Sequence, residues 1–253
     1  MSGARRAEAA LALQFLTRLP LGRGAPYSPE AMARAVAWFP AVGLVTGGLA
    51  AAVFWAGWAM FSAPVGAILA LLAGVLVTGG LHEDGLADLA DGLGGGATRA
   101  RALEIMRDSR IGSYGALALG LGLALKAAAL AGMGPGAALG ALVGAHVLGR
   151  YAMVWLMGAL PYARTDGAAG FARPGLDAGG RRLALGTALA ALAGIWILAG
   201  IGAALVAALW VAVCGRVFAG YLHRRLGGYT GDALGALEQL IEAGVLLCVL
   251  AWV

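Results

Sequence analysis

Seven stretches of this chain run for seventeen residues or more with almost no charge: 36–61, 65–81, 114–133, 136–158, 183–200, 202–221 and 235–253. A helix that crosses the hydrocarbon core of a bilayer needs about 20 predominantly apolar residues. These runs predict an all-α, polytopic transmembrane helix bundle with about seven spanning helices. Composition agrees, since 12% of the residues are charged against about 25% in a soluble domain. The second stretch is the shortest and runs straight into an acidic segment. The fifth and sixth are divided only by Gly200-Ile201-Gly202.

Seventeen arginines and one lysine give a net charge of +5. They are scattered between apolar runs rather than gathered in one basic patch. They read as topology determinants and anion contacts, not as a nucleic-acid surface. The N-terminal segment and the loops 82–112, 159–182 and 222–234 carry most of the charge, whereas 61–64, 133–135 and 200–202 carry none. Seven spans place all the charged loops on one side. By the positive-inside rule that side is the cytoplasm, so a site there faces the cytoplasm from the inner membrane and the C-terminus lies outside. Residues 1–253 read as a single catalytic domain without internal repeats. Arg5 and Arg6 precede an apolar stretch that Gln14, Thr17 and Arg18 interrupt, which does not suit a signal peptide. Ala9, Leu13, Leu16 and Pro20 predict instead a short N-terminal amphipathic helix, either on the membrane surface or packed on the bundle. Cys214 and Cys248 lie in apolar segments and read as core residues. The 43 glycines suit close packing of helices through small residues.

The most chemically suggestive segment is His82-Glu83-Asp84-Gly85-Leu86-Ala87-Asp88-Leu89-Ala90-Asp91-Gly92, with four carboxylates in nine residues. Asp84, Asp88 and Asp91 follow i, i+4, i+7 spacing and form one stripe on a helix. Like charges so spaced repel, and a divalent cation among them removes the repulsion. Hard oxygen donors suit Mg²⁺, Mn²⁺ or Ca²⁺ rather than zinc. Asp84, Asp88 and Asp91 are therefore the expected metal ligands, with Asp91 as ligand or base, and Glu83 is either a further ligand or a cap of the helix. His82 reads as a helix-end residue, and Gly85 and Gly92 allow a close approach of backbone or phosphate.

Two further segments complete the set. In Glu104-Ile105-Met106-Arg107-Asp108-Ser109-Arg110-Ile111-Gly112-Ser113, Arg107 and Arg110 are expected to grip phosphate through their forked donors. Ser113 is placed to cap the next span. An ordinary surface helix with internal ion pairs is the competing reading. In Gly228-Tyr229-Thr230-Gly231-Asp232, a glycine-rich loop precedes a helix, so Gly228, Tyr229 and Thr230 are expected to hold an anion. Asp232 is either a helix cap or a catalytic carboxylate. Glu238 and Glu242 fall inside the last span, where acids are costly and need partners. His146 and Arg150 are the expected partners, with Lys126 and Arg216 as further intramembrane cations. Together these parts point to phosphoryl-type chemistry. The P-loop, GxSxG and CxxC patterns are absent from the sequence, which disfavours nucleotide hydrolysis, serine catalysis and dithiol redox chemistry.

Several pieces in order resemble the adenosylcobinamide-GDP ribazoletransferase, or cobalamin synthase, family. They are Phe15-Leu16-Thr17-Arg18-Leu19-Pro20; Trp38-Phe39-Pro40 with Val42-Gly43; the block from Glu83 to Gly92; Glu104 to Gly112; Leu148-Gly149-Arg150; and Gly228 to Asp232 with Gly235 and Ala236. The resemblance implies an integral membrane enzyme of the last steps of vitamin B12 assembly. It implies adenosylcobinamide-GDP and α-ribazole, or its 5′-phosphate, as substrates, GMP as the leaving product and Mg²⁺ as the cofactor. It maps the family's acidic motif onto Glu83, Asp84, Asp88 and Asp91. Asp91, Asp108 and Asp232 are then the expected catalytic carboxylates. Membrane lipids are expected around the spans, and the oligomeric state stays open, a homo-oligomer among the options.

Two other readings compete. A CDP-alcohol phosphotransferase also uses membrane-edge aspartates, but its Asp-Gly-x-x-Ala-Arg signature meets Asp88 where arginine is required. A small transporter would use Lys126, Arg150 and Glu238 along a pathway. Carriers, however, place such groups near the midplane on repeated or broken helices.

Overall fold

A computed structural model describes residues 3–21, 24–25, 27–164 and 176–253. Among these residues eleven α-helices form and no β-strand does. In order they are α1 (Gly3–Leu16), α2 (Pro29–Ala35), α3 (Phe39–Met60), α4 (Ala63–Thr78), α5 (Leu81–Gly95), α6 (Arg99–Ile105), α7 (Ser113–Ala131), α8 (Pro135–Ala159), α9 (Ala178–Ala199), α10 (Ile201–Leu226) and α11 (Gly231–Leu250). Helices are the open-chain solution in lipid, because each satisfies its own backbone hydrogen bonds. Six helical runs among the described residues are long and apolar enough to span a membrane, and a seventh arises only if α4 and α5 count as one bent span.

That bend changes the second expected span. The apolar pattern runs on to residue 81, but α4 ends at Thr78 after 16 residues. At 1.5 Å per residue this is about 24 Å, short of a hydrocarbon core of roughly 30 Å. Gly79 and Gly80 then take positive φ of 72° and 73°, a left-handed conformation that costs glycine little. The chain turns by 90° into α5. α5 therefore does not continue the direction of α4 and carries its acids away from that span's axis.

Proline in the first turn starts α2, α3, α4 and α8, where its missing N–H is no loss. Ser28, Thr98, Asp177 and Thr230 cap α2, α6, α9 and α11 through their side-chain oxygens. The cap of α11 is thus Thr230 and not Asp232. Ser113 does not cap α7 either; the cap position is Gly112, which has no side chain to offer.

α8 is the central helix and packs against α3, α9 and α11. A Cβ on Gly43 of α3 would stand 2.6 Å from the His146 carbonyl of α8, so the two backbones meet with no side chain between them. Large apolar residues such as Leu72, Leu121, Leu189 and Leu209 face outward, as lipid contact requires. α1 does form, but it buries Leu11, Ala12 and Leu16 against the bundle. Phe15 stacks on Phe39 at 5.8 Å. Of the face expected from the sequence only Leu16 is buried; Ala9 and Leu13 flank the contact and Pro20 is exposed. The loops predicted to share one side do converge. Tyr229 N–H donates to the Pro161 carbonyl at 2.9 Å and Ala163 N–H to the Tyr229 carbonyl at 2.8 Å. Arg99 reaches the Ala163 carbonyl at 2.9 Å.

Candidate active site

α5 sits at this polar end with different chemistry on adjoining faces. Asp84 is exposed, Asp88 half-buried and Asp91 buried. Asp84 and Asp88 line a cavity of about 630 Å³ together with Thr17, Arg18, Thr78, Ser109 and Ile111. Among the described residues neither carboxylate has a hydrogen-bond or ion-pair partner. Burial, then the neighbouring charges of Asp84, Asp232 and Asp91, push the Asp88 carboxyl up to about 6, and Arg164 opposes them. The cluster is thus short of positive charge.

Asp91 belongs to the same stripe but is differently employed. Its two oxygens accept from the backbone N–H of Gly112 at 2.7 Å and of Gly115 at 2.8 Å. These are free donors of the first turn of α7, so Asp91 caps that helix from outside. Cβ atoms on Gly112 or Gly115 would lie 2.4 Å from Asp91 oxygens, which explains glycine at both positions. The Asp91 carboxylate keeps only its remaining lone pairs for a metal or a proton.

Asp232, in the first turn of α11, accepts from Arg164 at 2.7 Å through Oδ2. It is close enough to influence Asp88, because α5 and α11 nearly touch. A Cβ on Gly85 would stand 2.9 Å from the Asp232 carbonyl, and one on Gly235 3.0 Å from the His82 carbonyl. Beneath it, the expected anion loop is scaffold. Tyr229 and Thr230 are fully buried, and Tyr229 packs edge-on against Tyr162 at 5.3 Å. A Cβ on Gly228 would stand 2.2 Å from the Pro161 carbonyl. The loop places Asp232 instead of presenting its own groups to an anion.

Asp108 and Arg110 are engaged with each other. Arg110 Nε donates at 3.0 Å and Nη2 at 2.5 Å, and these bonds hold the half-exposed Asp108 carboxyl down at about 2. Arg107 is exposed at the end of α6.

Glu83 lies one step round the helix from Asp84 and faces inward. Its Oε1 accepts from Gln239 at 3.2 Å, and it lines a small inner cavity with Lys126, His146 and Glu242. There the expected intramembrane pairs are present. Arg150 meets Glu238 at 2.8 Å, His146 meets Glu242 at 2.7 Å and Lys126 meets Glu242 at 2.9 Å. His82 approaches Glu238 at 3.4 Å. Arg216 stands apart and donates to the Ala212 carbonyl of its own helix.

Among the described residues, the one set of three donor groups within 4.8 Å of one another is His146, Glu238 and Glu242. Lys126 and Arg150 already balance its two carboxylates, so a cation there would add uncompensated charge. The outer donors fit a metal differently. Two unpartnered carboxylates would supply part of a hard-oxygen shell for a cation such as Mg²⁺, which usually keeps water and phosphate as its other ligands. Sequence spacing did not single out Arg18, Ser109 or Arg164. Arg18 carried a signal as part of the Phe15–Pro20 motif, without a role.

A family model described as cobalamin-5-phosphate synthase matches residues 8–250. The adenosylcobinamide-GDP ribazoletransferase of Leptothrix cholodnii is 44% identical over 253 residues, covering 96% of this chain and 94% of the relative. That of Shewanella amazonensis is 42% identical, with 95% and 93% covered. That of Chlorobaculum tepidum is 41% identical, with 95% and 94% covered. No solved structure matches the chain. A family match over residues 8–250, with relatives at 41–44% identity across nearly the whole chain, shows that the chain belongs to the cobalamin-5-phosphate synthase family.

Proposed function

We propose that this chain joins adenosylcobinamide-GDP to α-ribazole, or to α-ribazole 5′-phosphate, and releases GMP in the last steps of cobalamin assembly. The relatives named above favour this over lipid synthesis or transport. The carrying observation within the molecule is the cavity in which Asp84 and Asp88 stand without partners.

The ribose hydroxyl of α-ribazole attacks the phosphorus that bears the cobinamide aminopropanol arm. The bond from that phosphorus to the bridging oxygen breaks, and its electrons leave with the GMP phosphate. Asp84 and Asp88 hold Mg²⁺, which supplies charge neutralisation for the diphosphate and for the leaving phosphate. The hydroxyl proton passes to Asp232, whose Oδ1 is not used by the Arg164 bond. Arg164 fixes the carboxylate by its other oxygen, so base and orienting group form a positioned pair. Asp91 acts by tying α5 to α7, which keeps the two ligands beside the loop that carries Ser109. Arg107 and Arg110 serve the outer phosphate oxygens at the exposed rim, Arg110 exchanging Asp108 for phosphate. The site faces the cytoplasm, where both soluble substrates are available, and the outward apolar belt contacts inner-membrane lipid.

Turnover by purified protein in detergent tests the reaction. Adenosylcobinamide-GDP and α-ribazole with Mg²⁺ are expected to yield GMP and cobalamin in equal amounts by mass, and EDTA is expected to stop both. Neither product from folded, Mg²⁺-supplied protein would overturn the assignment.

A further inference from the structure

Arg18 lines the same cavity as Asp84 and Asp88 and is its one cationic lining residue. Its position is built rather than incidental. The segment after α1 folds back on the end of α4, where Arg18 N–H donates to the Val77 carbonyl at 2.7 Å. Thr17 fixes the preceding turn by donating its hydroxyl to the Leu13 carbonyl at 2.7 Å. The guanidinium then lies on the bare backbone of Gly79. A Cβ there would stand 1.9 Å from Arg18 Nε and 2.7 Å from Cζ. The glycine that makes the α4–α5 elbow is therefore also the seat of the arginine.

The side chain has no hydrogen-bond or ion-pair partner among the described residues. Two other arginines of the polar end differ in this respect. Arg110 is forked onto Asp108 and Arg164 donates to Asp232. An arginine left with its donors unused beside two carboxylates is suited to an anion that a divalent cation brings to those carboxylates. Diphosphate is such an anion: one face takes the metal and the other takes a planar fork of N–H donors.

We infer that Arg18 is the residue that grips the diphosphate of the nucleotide-linked substrate, opposite the Asp84–Asp88 cation. The identity of that substrate rests on the ribazoletransferase reading; the grip on a diphosphate does not. Arg18 serves in ground-state binding and discriminates between the two substrates, because α-ribazole carries no diphosphate.

The test uses Arg18→Ala, Arg18→Lys and Gly79→Ala in the full-length protein. In turnover, Arg18→Ala is expected to raise KM for adenosylcobinamide-GDP about tenfold or more, the loss expected of a charged hydrogen bond, with KM for α-ribazole unchanged. Arg18→Lys is expected to recover part of the loss, and Gly79→Ala to displace the guanidinium while also straining the elbow at φ 72°, so that folded yield falls with it. Binding of inorganic pyrophosphate with Mg²⁺ by calorimetry is the second arm, since it needs no turnover. Arg18→Ala is expected to weaken pyrophosphate binding about tenfold. If the wild type makes no cobalamin yet loses pyrophosphate binding on Arg18→Ala, the ribazoletransferase reading fails and the anion grip stands. Unchanged pyrophosphate affinity in folded Arg18→Ala and Arg18→Lys, or equal KM changes for both substrates, would overturn the grip.

Discussion

Two sets of charges, one buried among α7, α8 and α11 and one on the outer face of α5, are held in opposite ways. The inner set, Lys126, His146, Arg150, Glu238 and Glu242, is buried, and each member meets an opposite charge or a potential one within 3 Å. The outer set, Asp84 and Asp88, opens on a cavity and meets no partner among the described residues. One residue step separates them, since Glu83 turns inward to Gln239 while Asp84 faces out. Acids supplied with internal cations hold a membrane bundle together, because an unpaired charge in lipid is expensive. Acids left without them are available for a cation that arrives with the substrate.

The largest effect should come from breaking the inner set. Arg150→Leu strands the fully buried Glu238 carboxylate, which is expected to cost about 3–5 kcal/mol. A sharp fall in melting temperature and in folded yield checks it. Adding Glu238→Leu is expected to restore most of the loss, because apolar pairs of similar volume replace buried ion pairs at little cost.

The outer set should behave in reverse. Asp88→Asn is expected to lower kcat roughly 10²–10³-fold or more, while thermal stability stays level or rises as like-charge repulsion is relieved. Kinetics and thermal melts on one preparation measure both. Retained turnover by this variant would erase the distinction between the sets.

Gly115→Ala sharpens the boundary. Its Cβ would stand 2.4 Å from the Asp91 oxygen, so the latch between α5 and α7 must open, at about 1–3 kcal/mol for overpacking. Activity and stability should fall together here, unlike in Asp88→Asn.

The smallest effect is a pH dependence. The Asp88 carboxyl is raised to about 6, so its ligand form predominates above that pH and is protonated below it. Turnover at limiting Mg²⁺ is expected to fall about tenfold per unit below pH 6. More Mg²⁺ should shift the fall to lower pH by competing with the proton, and a pH–rate series at two metal concentrations reads this.

Much of this was legible from residues alone, for physical reasons. The spans at α3 and α7 to α11 were readable because lipid demands long apolar runs. The α4–α5 elbow was not, because hydropathy stays high through Gly79, Gly80 and Leu81 and a hydropathy window carries no angle. The pairing of Glu238 and Glu242 with Arg150 and His146 followed from the cost of lone intramembrane charge. The stripe Asp84, Asp88, Asp91 was readable from helical spacing. Asp91's partners were not, since they are backbone amides 21 and 24 residues further on and carry no side-chain signature. Arg18 and Arg164 reach the site through loop packing, which local spacing does not encode.

The most direct test of the central claim is Mn²⁺ binding, followed by electron paramagnetic resonance, in wild type, Asp84→Asn/Asp88→Asn and Glu242→Gln. Bound Mn²⁺ is expected in the wild type, with loss of binding in the double variant and near-native binding in Glu242→Gln. Binding that survives the double variant and disappears in Glu242→Gln would place the cation in the inner set and contradict that claim.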